Sequence, residues 1–473
     1  MKVNDRSKYI TDMAVLWAVV EALLGGTSVM RTKKEYLPQW PQEDDISYKN
    51  RLAVATLFPA LKRTLSVMTG KPFSKQLTLE EDVPPRLVEY CQDINLEGQN
   101  LHVFSVEVFS EAMAFGLCGI LVDFPVIDPN AAPRTVAEEK AIGARPYFTF
   151  VRHNQLLGWK TSKRNGVPYL EQLRIKEEVE IADGEFGTKC IEQVRVLAPG
   201  VWVTYRKNEK DEWLPHENGL TTLSIIPFVP FYGTRLGFME GVSPLQDLAY
   251  LNVKHWQSQS DQDTILHIAR VPILVTIGAE PLETGDGAQT VSASSRINIP
   301  MGGDMKYVEH GGAAIEAGQT SLEKLEEQMI QTGAELLVSK PGAVRTATES
   351  SQDAEGNKSD LQRIVEGFED SMDQALQIMA MWVQEAQGGH ISLFKDFGAF
   401  NLTDASAQLI LSMQQGGLIT RETALMEFKR RGVLHPDLIE SDELEKVDEE
   451  GPRLAALWST PPEEGGEGDP ALQ

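Results

Sequence analysis

Four stretches of the chain place chemistry-bearing residues at suggestive spacings, and local structure accounts for each. Thr69-Gly-Lys-Pro72 shares a Gly-Lys pair with phosphate-binding loops. Such loops need an earlier glycine for close backbone approach and a hydroxyl after the lysine to hold magnesium. Here Leu65 stands at the first glycine position and Pro72 replaces the hydroxyl, so the stretch reads as a helix ending at Gly70. Asp353-x-Glu355-x-Asn357-x-Ser359 alternates oxygen ligands as a calcium loop does, but Lys358 occupies the required glycine position and no bidentate glutamate follows. A solvated loop is the reading. Ser243 lies in Gly241-Val-Ser-Pro244, not in a G-x-S-x-G elbow, and serves as a helix N-cap. The eight histidines are dispersed without H-E-x-x-H or comparable spacing, so His255 and His267 read as surface or interface residues, not ligands. No catalytic, cofactor or metal site follows from these residues.

Composition sets wider limits. With 473 residues, 42% hydrophobic and 24% charged, the chain can bury a large core and divide into two or more domains. Its net charge of −25 argues against tight capture of phosphate backbones, which draws on Lys and Arg to release counterions. Any nucleic acid it meets is held loosely. Cys91, Cys118 and Cys190 are too few and too scattered for a disulfide framework or a zinc site, which makes a reducing compartment the expectation. The N-terminal MKVNDRSKY has mixed charges, and the apolar patch Met13 to Leu24 contains Glu21 and is too short for a bilayer. Neither a signal peptide nor a membrane span is expected.

The element that organises the rest is Gly241 to Arg270. Ser243 as cap, Pro244 at the first helical position and Gln246 as capping-box partner predict a helix start. Leu245, Leu248, Ala249, Asn252, Val253 and Trp256 give one mostly apolar face, after which Gln257 to Thr264 is polar on every side. A helix of this kind must be solvated, bridge domains or pack through polar contacts. From Ser243 to Ile268 it reaches about 40 Å, at about 1.5 Å per residue.

Upstream, residues 1 to 130 read as helical. Tyr48, Leu52, Thr56, Leu61, Leu65 and Met68 mark one side of a helix that Pro59 kinks, and Leu101 to Gly116 is a second helix, apolar at Val103, Phe104, Val106, Val108, Phe109, Ala112 and Met113. Ile120 to Phe124 reads as a strand, and 130–133 as a surface connection. From 144 to 236 the pattern turns to β, with Tyr147 to Val151, Tyr169 to Ile175, Cys190 to Leu197 and Val201 to Tyr205 separated by Asn165-Gly, Asp183-Gly and Pro199-Gly. An antiparallel sheet is expected, with Gln193, Val194, Arg195 and Val196 alternating between a wet and a dry face.

Downstream of the organising helix, Val271 to Ile277 reads as a strand in a small β insert ending near His310. Thr320 and Glu323 predict the cap of a returning helix whose stripe is Leu322, Leu325, Met329, Gly333, Leu336 and Leu337. Pro341 to Lys358 has no apolar period. Ser359 with Gln362 then opens a strongly striped helix, Leu361 through Trp382, expected to run to Gly388-Gly389. Two shorter helices follow, the second capped by Thr420, with Glu422 in its first turn, Lys429-Arg-Arg431 in its last, and Gly432 as its stop. The acidic end beyond Asp437 reads as disordered.

The order of these parts resembles that of tailed-bacteriophage portal proteins, the head-to-tail connectors. Gly-x-Ser-Pro-Leu245, the small insert, the returning helix, the polar loop carrying Thr346-Ala-Thr-Glu349 and the helix opening Ser359-Asp-Leu361 carry the likeness. Tyr48 to Phe73 and Gly98 to Pro125 resemble early segments of a portal branch known only as a domain of unknown function. The resemblance implies an α+β portal fold. Its parts are a wing at 1–236 (helical to about 130, β-rich 144–236), a first stem helix at 237–270, a clip at 271–311 and a second stem helix at 312–340. A tunnel loop at 341–358, a long helix at 359–388, wing and crown at 389–440 and an acidic tail at 441–473 complete it.

The same resemblance implies the site residues. Val344, Arg345, Thr346, Glu349, Ser350, Ser351, Gln352, Asp353, Glu355, Asn357 and Lys358 belong to the channel loop. Glu283, Thr284, Asp286, Gln289, Ser292, Ser294 and Arg296 belong to the clip docking surface. Ser243, Trp256, Gln257, Gln259, Asp261, Asp263, Glu323 and Glu327 mark the stem. Implied partners are further copies of the chain in a cyclic ring, twelve if the family is followed, and double-stranded DNA in transit, held weakly and without sequence preference. A terminase motor, a head-completion adaptor and the major capsid and scaffolding proteins complete the list; no membrane is involved. The implied place is the virion's portal vertex, with the host cytoplasm during assembly. The alternatives are another virion structural protein, capsid or tail, and a phage nucleic-acid-processing enzyme, which would need a clustered carboxylate or Lys/His pocket.

Overall fold

The computed structural model describes residues 2–125, 144–270, 273–277, 304–308, 312–337, 359–395, 397, 411–414, 419–430, 442–444 and 446. The chain divides into two units, Met1–Lys395 and Asp396–Gln473.

The first unit opens with helices. α1 (Lys8–Leu24) is capped by Ser7, whose hydroxyl accepts the Ile10 N–H, and α2 (Gly26–Thr32) follows it. Asp44 caps α3 (Asp45–Val54) by accepting from the Ile46 and Ser47 N–H groups. α4 (Ala60–Gly70) is a separate helix, so the single kinked helix expected from Tyr48 to Met68 is two. The chain becomes extended at Ala55 (φ −54, ψ 133). Pro59 disfavours helical geometry at the residue before it and removes a donor, which breaks a marginal helix instead of bending it. Gly70 ends α4 as expected, with Lys71 still helical and Pro72–Ser74 forming a tight 3-10 turn.

β1 (Thr78–Leu79) and α5 (Pro85–Tyr90) lead to α6 (Leu101–Phe115), which Asn100 caps. Val103 lies off the buried face of α6 at 45% exposed, where the apolar pattern placed it inside. Gly116 ends the helix in the left-handed region (φ 81), and a Cβ there would sit 2.2 Å from the Val242 carbonyl carbon. Only glycine fits both demands.

β2 (Leu117–Asp123) is buried from Leu117 to Val122 and is the middle strand of a three-stranded antiparallel sheet, between β3 (Tyr147–Val151) and a later strand. The five-stranded sheet is a meander of β4 (Leu156–Arg164), β5 (Val167–Asp183), β6 (Gly187–Ala198), β7 (Val201–Lys207) and β8 (Trp213–Leu220). The expected turns fall at its hairpins. Asn165 (φ 51) and Gly166 (φ 84) both have positive φ, the signature of the turn that suits the twist of paired strands. The face expected to be wet is not. Gln193 is buried, donating to Glu177 and accepting from Arg206, while Arg195 pairs with Glu177 and Asp123. Polar side chains on that face pair with one another.

β9 (Phe228–Tyr232) completes the three-stranded sheet, and β10 (Thr234–Gly237) with β11 (Glu240–Val242) forms a hairpin. α7 (Gln246–Ala269), β12 (Ile273–Ile277), β13 (Asp304–Val308), α8 (Gly312–Glu335) and α9 (Asp360–Trp382) follow, then β14 (Ile391–Ser392), which pairs with β1. Phe368 of α9 closes the core against Phe109 of α6 and Phe231 of β9, ring centroids 5.3 and 5.0 Å away. The Ser359–Gln362 capping box forms as expected. α9 stops at Trp382, short of Gly388, because Gln384 turns into the left-handed region (φ 60).

In the second unit, α10 (Arg421–Arg430) is capped by Thr420, which accepts from the Thr423 N–H, and residues 411–414 are helical. The expected stop at Gly432 and the connection at 130–133 lie outside the described residues, as does most of the tail at 441–473 expected to be disordered, of which residues 442–444 and 446 are helical.

Candidate functional site: the helical stem and its two excursions

α7 and α8 pack together as a hairpin, and the base of α7 is fixed into the body of the first unit. The Ser243 hydroxyl, 5% exposed, donates to the Met113 carbonyl (2.8 Å) and accepts the Leu245 N–H (3.1 Å). Ser243 therefore caps the Leu245 N–H, one residue before the Gln246 N–H that a capping box uses, and the helix starts at Gln246 instead of next to Ser243. Gln246 Nε2 is buried with no hydrogen-bond partner among the described residues. At 24 residues, α7 is about 36 Å long, by ~1.5 Å per residue.

Asn252 interrupts the apolar stripe for a structural reason. Fully buried, it accepts the Leu61 N–H (3.0 Å) and donates to the Phe58 carbonyl (2.8 Å). Pro59 precedes α4 and has no side chain able to cap it, so α7 supplies the missing cap from outside.

The polar half of α7 is not solvated on all sides. Gln262, 4% exposed, donates to the Ile315 carbonyl of α8 (3.0 Å), and Gly318 gives it room, because a Cβ there would lie 2.1 Å from Gln262 Oε1. Gln257 donates to the Tyr36 carbonyl (3.1 Å), and Gln259 to Asp263 (2.8 Å). Asp261 lies 3.9 Å from Arg51, which grips Glu43 at 2.7 Å. Burial pushes the Asp261 carboxyl above its ordinary range; Arg51 pulls against this and Glu43 adds to it. Hydrogen bonding from Arg51 holds Glu43 below the ordinary carboxylate range against its desolvation.

Of the two histidines expected at a surface or an interface, His267 is exposed and His255 lies buried between α7 and α8. It is 2% exposed, and its Nε2 faces Glu326 of α8 at 3.2 Å. Trp256 is fully buried, as its apolar stripe implies. Along α7, His255 Nδ1, Trp256 Nε1 and Ser260 Oγ are buried with no partner among the described residues. Each such atom costs about 1–3 kcal/mol, so the stem is less firmly seated than its burial suggests.

α8 begins at Gly312, so Thr320 and Glu323 sit inside it and cap nothing; Ala313, Ala314, Glu316 and Ala317 favour helix and carry it upstream. Its expected stripe holds, with Leu322, Leu325, Met329, Gly333 and Leu336 buried, while Glu323 and Glu327 are exposed. Gly333 meets α4, where a Cβ would lie 2.9 Å from Thr64.

Two long excursions leave this framework from pinched ends. β12 and β13 pair in register from Ile273↔Val308 to Ile277↔Asp304, so residues 278–303 depart and return at adjacent points. Likewise the Leu361 N–H donates to the Leu336 carbonyl (3.0 Å), which ties the end of α8 to the start of α9 across residues 338–358. The docking residues Glu283 to Arg296 and the loop residues Val344 to Lys358 fall on these excursions and lie outside the described residues.

Away from the stem, the densest polar junction is His153, 4% exposed and stacked on Phe115. Its Nδ1 meets Glu111 at 2.6 Å and its Nε2 meets Glu21 at 3.0 Å. It binds α1 to α6. Among the described residues no group of three or more His, Cys, Asp or Glu is placed to hold a metal, and no helix is long and apolar enough to cross a membrane. Burial pushes the Cys91 thiol up to about 12 and the Cys118 thiol well above its usual value.

The family model for the domain of unknown function DUF4055 matches residues 244–383, the stretch from the base of α7 to the end of α9. No curated protein matches the chain. Among solved structures it is similar to a chain from the neck of the native GTA particle computed with C12 symmetry, at 9% identity and a TM-score of 0.38, covering 78% of this chain and 88% of that one. A chain from the neck of the empty GTA particle computed with C6 symmetry gives 11% identity and 0.39, with coverage of 82% and 95%. One from the virion of the native gene transfer agent (GTA) particle gives 12% and 0.36, with coverage of 82% and 93%.

Proposed function

We propose that this chain is a phage portal protein: a subunit of a closed ring, twelve-fold if it follows the family, through which double-stranded DNA is packaged and ejected. The observation that carries the reading is the frame of the stem. One hairpin, α7 and α8, sends out one excursion between pinched strands at its tip and a second between α8 and α9. That is the order clip, stem, tunnel loop, long helix. Residues 278–303 would then dock the terminase motor and the head-completion adaptor, and residues 338–358 would face the channel. The body of the first unit would be the wing. The reading rests on this order and not on the distant superpositions.

Acidity fits such a channel. A ring that lets DNA slide must not hold its phosphates, and the loop 341–358 carries Glu349, Asp353 and Glu355 against Arg345 and Lys358. Replacing those three acids with lysine adds six positive charges per chain. We expect the rings to assemble normally, to retain DNA more strongly in a salt-sensitive manner, and to package it more slowly. Packaging at the normal rate, with no loop crosslink to DNA, would exclude the channel assignment.

A further inference from the structure

β5 and β6 outrun their sheet. β4 pairs with β5 only as far as Ile175, and β7 pairs with β6 only from Gln193, so residues 176–192 form a two-stranded ribbon that projects by about 25 Å, at ~3.3 Å per residue. Residues 180–190 are all exposed, and Phe186 at the tip is 93% exposed. Val179 and Ile181 on β5 stand opposite Ile191 and Lys189 on β6, which gives one ribbon face an apolar character. A lone two-stranded ribbon is marginal in water, so this one is stabilised by whatever its tip and apolar face lie against.

The same unit carries a groove of about 750 Å³ between the β9–β10 segment and the outer side of α9. Phe228, Tyr232, Phe238 and Ile364 contribute apolar walls, and Arg235 stands at the rim. Asp360 in the groove is taken by Arg363 at 3.3 Å, Asp370 also lines it, and the exposed Arg235 lies over the Tyr232 ring at 5.2 Å and donates to the Gly237 carbonyl at 3.4 Å, with no carboxylate ion pair among the described residues. The ribbon tip offers the complement, an aromatic ring beside Asp183 and Glu185.

Groove and tip are ends of one strand. Leu170 of β5 lines the groove, and Asp183 ends β5 at the tip, about 40 Å further along the strand. The ribbon tip of a chain therefore cannot reach that chain's own groove, but the tip of a second copy can, and a contact joining unlike surfaces head to tail closes a ring when its rotation closes.

We infer that the ribbon tip of one subunit, led by Phe186, seats in the groove between β9–β10 and α9 of the next, with Arg235 receiving the acidic turn. This deepens the portal reading and rests on its ring. One aromatic anchor is a small part of a stable interface, so its loss weakens the ring without abolishing the rest of the contact.

Site-directed crosslinking tests it. In a Cys190→Ser chain, Phe186→Cys and Arg235→Cys are made in separate proteins, mixed, and treated with a short bis-maleimide; both sites are exposed, and Cys91 and Cys118 are buried. Covalent heterodimers should form only in the mixture, and a chain bearing both changes should give a ladder ending at the ring size. Phe186→Asp should raise the concentration for half-assembly by about tenfold or more. Glu185→Arg or Arg235→Glu should raise it about two- to fivefold, and the two together should restore it. Rings that form without crosslinks, or a product confined to one chain, would overturn the inference while leaving the portal reading intact. Failure to self-associate at all would overturn both.

Discussion

Asn252 shows how a single amide can join two parts of the molecule. Its oxygen accepts the Leu61 N–H in the first turn of α4 and its nitrogen donates to the carbonyl before Pro59. Asn252→Ala would strand one buried donor and one buried acceptor, and the expected loss is about 2–4 kcal/mol in urea unfolding. Asn252→Asp keeps the acceptor and should lose less if the cap dominates. A loss under ~0.5 kcal/mol for alanine would mean that water replaces the amide. Sequence spacing placed Asn252 on the apolar face but could not name its partners, which lie more than 190 positions away. His255 and Gln193 were hidden for the same reason: a polar side chain becomes a core residue only when a distant segment brings its partner.

At the scale of elements, what was legible was what local chemistry decides. The Asn165-Gly166 turn, the Ser359 box, the Thr420 cap and the stripes of α8 and α9 depend on neighbours three or four residues away. Errors came where longer context won. Helix-forming residues before Thr320 moved the start of α8, and the break at Pro59 divided one expected helix because α7 could cap the second piece. The β1–β14 junction adds a pH-dependent contact. His390 Nδ1 meets Asp82 at 2.5 Å, and this hydrogen bond raises the imidazole above its ordinary value and lowers the carboxyl below its own. The histidine contribution is complete below its unfolded value and fades as pH rises through the raised folded value. The aspartate contribution is present above its ordinary value and is lost as pH falls through the depressed one. Amide protection factors at Glu80, Val83 and Ile391, relative to the intrinsic exchange rate, should therefore be highest between those limits and fall at alkaline pH. His390→Asn should flatten the alkaline limb; an unchanged limb would show that the pair does not hold the junction.

At the scale of the molecule, the stem was legible as an oddity before it had a partner. A helix polar on every side over Gln257 to Thr264 predicts polar contacts, and part of that demand is met inside the chain by Gln262, Gln257 and His255. In the proposed ring, the exposed Glu323 and Glu327 on α8 are free to meet neighbouring copies or a wet channel. The net charge of −25 would, in such a ring, disfavour phosphate contacts and let DNA move. Cryo-electron microscopy of the purified protein tests this most directly. The account predicts closed cyclic rings with an axial channel, α7 and α8 standing side by side around it and residues 338–358 emerging toward the axis. A stable monomer at high concentration, or rings that carry the α7–α8 hairpin on their outer wall, would contradict it.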